Sequence, residues 1–394
     1  MQYTLTPAFV HSVVADLLIT ALKLGDYKRS CPVQTLIQVV LCACARLVSL
    51  TAAARSLLRA ACPETIRKAL HAQLPEPDEL QKRFNRGFRF GLPSARNRRR
   101  RPYWLAVDYT LVPYHGQPAR HAHELYRGQP KSGTTHFHAY ATLCIIERGS
   151  RYTVAVRWVQ QKEALAEVVQ YLLQQAAKMG VRPKKLLLDR GFYAVDVLRY
   201  LQAARYPFLL PVPLKGRRAQ HPQGPGGTRI FAQWKRSGYA TYQLHSTGRP
   251  RVRVRIAVHC RNRAGRRGKY GREHLIDAFW GFAGPRHPAA ISQQYRRRFG
   301  IESSYRQSNQ SRPRTCSREP RVRLFLMGVS LLLRNVWVWL NAEYLSTPRR
   351  SGRQQSGSGL SLKQMLHWLQ TVAEARLGVH GEIPTQQPLD ATLT

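Results

Sequence analysis

Residues 103–114 read Tyr-Trp-Leu-Ala-Val-Asp-Tyr-Thr-Leu-Val-Pro-Tyr. They alternate at the period of a β-strand, with Trp104, Ala106, Asp108 and Thr110 on one side. Downstream, 135–146 and 151–159 read as two more strands around a turn at Arg148-Gly149-Ser150. Residues 162–179 form an amphipathic helix stopped by Gly180, and 185–188 a short buried strand. A helix over 194–204 and an apolar strand over 207–212 follow. The order β-β-β-α-β-α-β predicts an α/β fold, a mixed sheet flanked by helices.

Upstream of this stretch, residues 1–95 read as an all-helical domain, with apolar residues at helical spacing over 8–24, 33–47, 49–58 and 64–74. Pro63 stands where a first-turn proline belongs. The last two helices, joined by a tight turn, suggest a helix-turn-helix whose second helix presents Thr65, Arg67, Lys68 and His71. A helical bundle with a solvated basic face is the plainer reading. Residues 96–102 are a basic linker in which Arg98, Arg99, Arg100 and Arg101 are set to meet phosphates.

Beyond 212 the chain turns basic and glycine-rich. Strands over 230–234, 239–244, 252–260 and 275–282 would make 215–288 a β-rich insertion, followed by one helix over 289–310. The apolar run 324–340 is interrupted by Ser330, Arg334 and Asn335. It falls short of the ~20 residues of a membrane span, so it reads as a buried helix closing a domain over 103–345. Residues 346–394 read as a flexible linker, Ser-Gly-Arg-Gln-Gln-Ser-Gly-Ser-Gly at 351–359, and a small helix over 361–377.

The 394 residues carry 63 Lys+Arg against 21 Asp+Glu, a formal charge of +42 with 43% hydrophobic residues. Ordinary apolar content excludes global disorder, and such a surplus repels itself unless a polyanion neutralises it. Nucleic acid is the expected partner, and a membrane is not. The seven cysteines form no C-x-x-C pair, so neither a zinc ribbon nor a disulfide framework is expected. No secretory leader pattern is present in residues 1–10, and the expected location is the cell interior.

In a chain with so few acids, Asp108 and Asp189 are conspicuous. Asp108 lies between apolar Val107 and Tyr109 inside a strand, and Asp189 ends the run Leu186-Leu187-Leu188. A carboxylate there is expensive unless paired or bound to metal. Glu302 joins them: Tyr295, Arg298 and Glu302 fall at i, i+3 and i+7, on one face of the late helix. Three carboxylates from two strands and a helix make an oxygen-rich site for divalent cations, Mg²⁺ or Mn²⁺ in its place. Two such ions would serve phosphodiester chemistry.

Asp108 in Ala-Val-Asp-Tyr-Thr, Asp189 in Leu-Asp-Arg-Gly-Phe-Tyr, and Tyr295-x-x-Arg298-x-x-x-Glu302 resemble the three blocks of DDE transposases from prokaryotic insertion sequences. The likeness spans roughly residues 100–340. It implies an RNase H-like core interrupted by a β-rich insertion, with Asp108, Asp189 and Glu302 as catalytic metal ligands. It also implies Tyr295, Arg298 and Arg306 on DNA, transposon ends and target DNA as partners, a homodimer on DNA, and a nucleoid-associated life in a prokaryotic cytoplasm. Asn309 stands where the third block carries a basic residue. The alternative is therefore a catalytically inactive, transposase-derived DNA-binding regulator.

Three other features draw plainer readings. His121, His123, Glu124, His136 and His138 lack the spacing to close a zinc site. Asp196 reads as a helix N-terminal charge, and Trp234 and Trp280 read as core packing.

Overall fold

A computed structural model describes residues 4–92, 101–147, 150–218, 220–262, 272–349, 352–355 and 359–380. Arg98, Arg99, Arg100, the turn at 148–149 and the tail from 381 lie outside the described residues. Two compact units emerge, one drawn from the spans Met1–Gly87, Gln307–Pro348 and Gln355–Thr394, the other from Phe88–Arg306 and Arg349–Gln354.

The first unit begins with α1 (Pro7–Leu22), α2 (Val33–Arg46), α3 (Leu50–Arg55), α4 (Pro63–Gln73) and α5 (Pro77–Gly87). Local chemistry sets the boundaries. Thr6 Oγ1 accepts from Phe9 N at α1, and Ser49 Oγ accepts from Ala52 N at α3. Pro63 opens α4, as its missing N–H allows.

The second unit is built on one nine-stranded sheet. Its strands are β1 (Tyr103–Pro113), β2 (Tyr126–Lys131), β3 (Thr134–Glu147), β4 (Ser150–Val159), β5 (Pro183–Leu188), β6 (Phe208–Pro211), β7 (Gly238–Ser246), β8 (Arg249–Asn262) and β9 (Arg272–Trp280). β3 pairs antiparallel with β1 and β4; β1–β5 and β5–β6 are parallel. The crossovers are α6 (Leu165–Lys178) and α7 (Val195–Ala203). Their apolar faces, among them Val168, Leu172, Val197 and Leu201, pack on Tyr103, Leu105, Val107, Leu186 and Leu188. Strand alternation therefore turns Trp104, Ala106 and Asp108 of β1, with Lys185 and Leu187 of β5, to the opposite face.

The expected mixed sheet behind a helical N-terminus is present, with differences in detail. In the segment expected as a β-rich insertion, β9 pairs with β6 and β7–β9 extend the same sheet. Residues 230–233 belong to a 3₁₀ segment, Gly227–Gln233, rather than a strand, and Trp234 follows as its cap. Gly227 takes a positive φ there, and Thr228 Oγ1 ties the chain to Pro213 O and Lys215 N. The single helix expected over 289–310 is two, α8 (Ala289–Arg296) and α9 (Phe299–Asn309). Between them the backbone tightens to i→i+3 bonds, with Arg298 N on Tyr295 O and Ile301 N on Arg298 O.

The chain then returns to the first unit as α10 (Pro320–Glu343) and α11 (Leu362–Leu377), and the segment between them forms a two-stranded ribbon of β10 (Ser346–Arg349) and β11 (Gly352–Gln355). Within the first unit α10 packs on α5, and α11 on α1 and α2. Apolar surface decides this, as in the contact of Phe84 with Phe325. The stretch read as linker carries β11, since backbone pairing needs no apolar side chains. α10 is long and apolar enough to cross a membrane, yet most of it is buried in its unit. Arg334, 1% exposed, is accommodated there by donating from Nε to Gln307 Oε1.

Candidate active site

The parallel register pairs Val107 of β1 with Leu188 of β5, so the next residues, Asp108 and Asp189, emerge side by side. Asp108 stays inside its strand, opposite Thr142 of β3, and Tyr109 N donates to its Oδ1 at 2.8 Å. Asp189 lies just past β5 and caps a 3₁₀ turn, accepting from Gly191 N. This position at a strand's carboxyl end is where sheets of this kind place ligands.

The break between α8 and α9 delivers the third group. Arg298 Nη1 donates to Asp108 Oδ2 at 2.8 Å, while Nη2 reaches both Asp189 Oδ1 and Glu302 Oε1 at 3.1 Å. One guanidinium therefore joins all three carboxylates picked from the sequence. Its own Nε–H is buried and has no acceptor among the described residues. Tyr295, one turn earlier, donates its hydroxyl to Leu188 O at 3.2 Å and so ties α8 to the end of β5.

Burial pushes the Asp108 carboxyl up to about 6; Arg298 opposes that shift and Asp189 adds to it. Burial also works against charge on Arg298, but Asp108, Tyr295, Asp189 and Glu302 outweigh it and hold the guanidinium above its ordinary value. With all groups ionised, three carboxylates against one guanidinium leave two negative charges.

Among the described residues, no group of three or more His, Cys, Asp or Glu is arranged as it stands to hold a metal ion. Arg298 is interleaved with the acids. The donor chemistry nevertheless fits a hard divalent cation: oxygen ligands only, already converging on one cationic centre, with a residual charge of the matching size. His121 and His123 merely stack on each other, 5.1 Å apart.

Two features of the site escaped sequence reasoning. Tyr305, one turn after Glu302, is buried, and its hydroxyl donates to the Asp108 carbonyl at 3.0 Å while sharing a 2.6 Å hydrogen bond with Thr142 Oγ1. The stripe Tyr295–Arg298–Glu302 extended by three would have found it. Asp277 of β9, 4% exposed, accepts from Ser292 Oγ of α8 at 2.7 Å, and burial pushes it up to about 6. A lone acid inside the apolar strand Leu275–Phe279 carries the same signal as Asp108.

The other expected contacts are scattered. Arg306 and Arg101 are exposed on the second unit. On the first, Arg67 and Lys68 are exposed on α4, both paired with Glu64. Asp196 pairs with Arg249 in the first turn of α7. Trp280 stacks on Phe208 and Trp234 meets Phe231 edge-on, as core packing requires.

No curated protein matches the chain in sequence. A piggyBac transposase, solved in a synaptic complex with hairpin DNA, is similar in fold at a TM-score of 0.54 and 8% identity, over 98% of this chain and 87% of that one. The family model for the transposase DDE domain matches residues 99–336, from the basic stretch ahead of β1 into α10. The chain belongs to the DDE transposase family.

Proposed function

We propose that the protein is the transposase of a prokaryotic insertion sequence, cutting DNA at the element's ends and joining the freed 3′-hydroxyl to target DNA. The observation that carries this reading is the convergence of Asp108, Asp189 and Glu302 on one guanidinium. The sheet order β4-β3-β1-β5-β6, with its antiparallel first part and parallel crossovers, supports an RNase H-like core.

DDE transposases generally use divalent metal ions. Asp108, Asp189 and Glu302 would hold Mg²⁺, or Mn²⁺ in its place, and the chemistry supplied is activation of water or a 3′-hydroxyl and stabilisation of the leaving 3′-oxygen. The chain's own contribution is preorganisation. Tyr295 fixes α8 on β5, and Arg298 balances the acids while keeping its Nε–H for a phosphate oxygen. Arg306 and the run Arg98–Arg101 would hold the backbone nearby. Arg67 and Lys68 of α4 would read the element's end, at the cost of their pairing with Glu64.

Two ends must be joined, so a homodimer on DNA is the working assembly, acting on the nucleoid in the cytoplasm. Asn309, exposed at the end of α9, favours the second reading, a DNA-binding regulator without catalysis. A metal-dependent nicking assay on end-containing duplex separates the two. Nicking supports the transposase, and binding without nicking supports the regulator.

A further inference from the structure

Four residues before Asp108 on the same face of β1 stands Trp104, half-buried. Two cations lie against its ring: Lys185 Nζ at 4.8 Å and the Arg297 guanidinium at 4.6 Å from the centroid. Lys185 is the β5 register partner of Trp104 and is itself 8% exposed. Its ammonium donates to Gln294 Oε1 at 2.5 Å and sits 3.3 Å from the Phe282 centroid. These partners are an amide and two aromatic faces, and none of them carries a negative charge. Burial pushes Lys185 down to about 8, with Arg297 and Lys184 adding to the fall.

A cavity of about 590 Å³ opens beside this cluster, lined by Arg101, Trp104, Ile146, Arg151, Lys184 and Arg297 among others. Cation–π contacts are weak beside the crowding of like charges around a buried ammonium. An anion would relieve that crowding. The break between α8 and α9 sets the two sites in relation: of two consecutive arginines, Arg298 enters the carboxylate cluster and Arg297 covers Trp104.

We propose that the cavity beside Trp104 is a second anion site, taking a backbone phosphate of the DNA strand engaged at Asp108. Four residues of β-strand span ~13 Å. With rotation about the helix axis added to the ~3.4 Å rise, consecutive phosphates of one strand lie ~6–7 Å apart, which places the contacted phosphate about two nucleotides from the scissile one. The inference rests on the transposase reading but adds a location and a spacing to it.

The test uses the full-length protein. Duplex affinity is measured by fluorescence anisotropy between ~50 and ~200 mM salt for the unaltered chain, Lys184→Gln, the double variant Lys184→Gln/Arg297→Gln, and Arg205→Gln as a control on an exposed arginine elsewhere. Losing the one phosphate contact should lower the salt slope by ~0.9, so the double variant should lose about 3-fold less affinity over that fourfold range than the unaltered chain. Phosphate-ethylation interference should lose one signal about two nucleotides from the cleavage position. Lys184 and Arg297 are exposed, so their replacement leaves the core intact. An unchanged slope in the double variant, or an equal drop in Arg205→Gln, overturns the site and leaves the transposase reading standing. Absence of DNA binding by the unaltered chain overturns both.

Discussion

Arg298 and Asp108, 190 residues apart in sequence, form a buried ion pair of 2.8 Å in which both side chains are nearly closed to solvent. Removing one partner leaves the other as an uncompensated buried charge. Arg298→Ala should lower the unfolding free energy at pH 8 by about 3 kcal/mol. Adding Asp108→Asn should restore part of that loss, because the amide needs no cation. Urea unfolding of the single and double variants measures both effects, and an Arg298→Ala protein as stable as the original would contradict the pairing.

Asp277 gives a pH dependence with a definite sign. Its carboxyl, ordinarily at 3.8, is raised to about 6 by burial, so the folded state favours the protonated form. The stability it contributes is complete below about pH 3.8 and is lost as pH rises through about 6. Asp277→Asn keeps an acceptor for Ser292 and removes the charge. It should be more stable than the original chain at pH 8 by on the order of 2 kcal/mol, the gap closing towards pH 4. Thermal or urea melts across that range decide it; a constant gap refutes the assignment.

Tyr305 acts through Asp108 and Glu302. Tyr305→Phe leaves the ring and deletes the hydroxyl that joins the Asp108 carbonyl to Thr142. The expected cost is about 1–2 kcal/mol of stability. Misplacing Glu302 relative to Asp108 should also lower the cleavage rate by roughly 10²-fold while leaving DNA affinity unchanged. A loss of stability with full cleavage would reduce Tyr305 to packing alone.

The N-terminal helices should not fold alone. A fragment of residues 1–87 lacks α10 and α11, against which α1, α2 and α5 pack. It should show no cooperative thermal transition by circular dichroism, whereas the full chain should. A cooperative melt of the fragment would mean that these contacts are dispensable.

Much of this was legible in the sequence. The alternation of 103–114 and the apolar run before Asp189 placed one aspartate inside a strand and the other at a strand's end, because strand periodicity is a local property; that the two strands are neighbours comes from their pairing. The spacing Tyr295–Arg298–Glu302 placed the third acid, although the helix it assumed is broken at Arg297–Arg298. The break depends on backbone bonds that residue spacing does not encode, and Gly300 alone gave little warning. The partners of α10 were hidden for another reason: a helix apolar on all sides can bury itself in either unit, and only tertiary contacts with α5 choose. That one arginine would serve three carboxylates was equally invisible, since i, i+4 spacing announces only the Glu302 pair.

The central claim is that Asp108, Asp189 and Glu302 form one catalytic centre for phosphodiester cleavage, and Glu302→Gln tests it most directly. The substitution keeps shape and hydrogen bonding but removes the charge that would help hold a divalent ion. With Mg²⁺ saturating, nicking of end-containing duplex should fall about a thousandfold, equivalent to ~4 kcal/mol in the barrier. DNA binding should persist, or tighten as a repulsive charge is lost near the phosphates. Nicking at the original rate by Glu302→Gln would remove Glu302 from the centre and contradict the account.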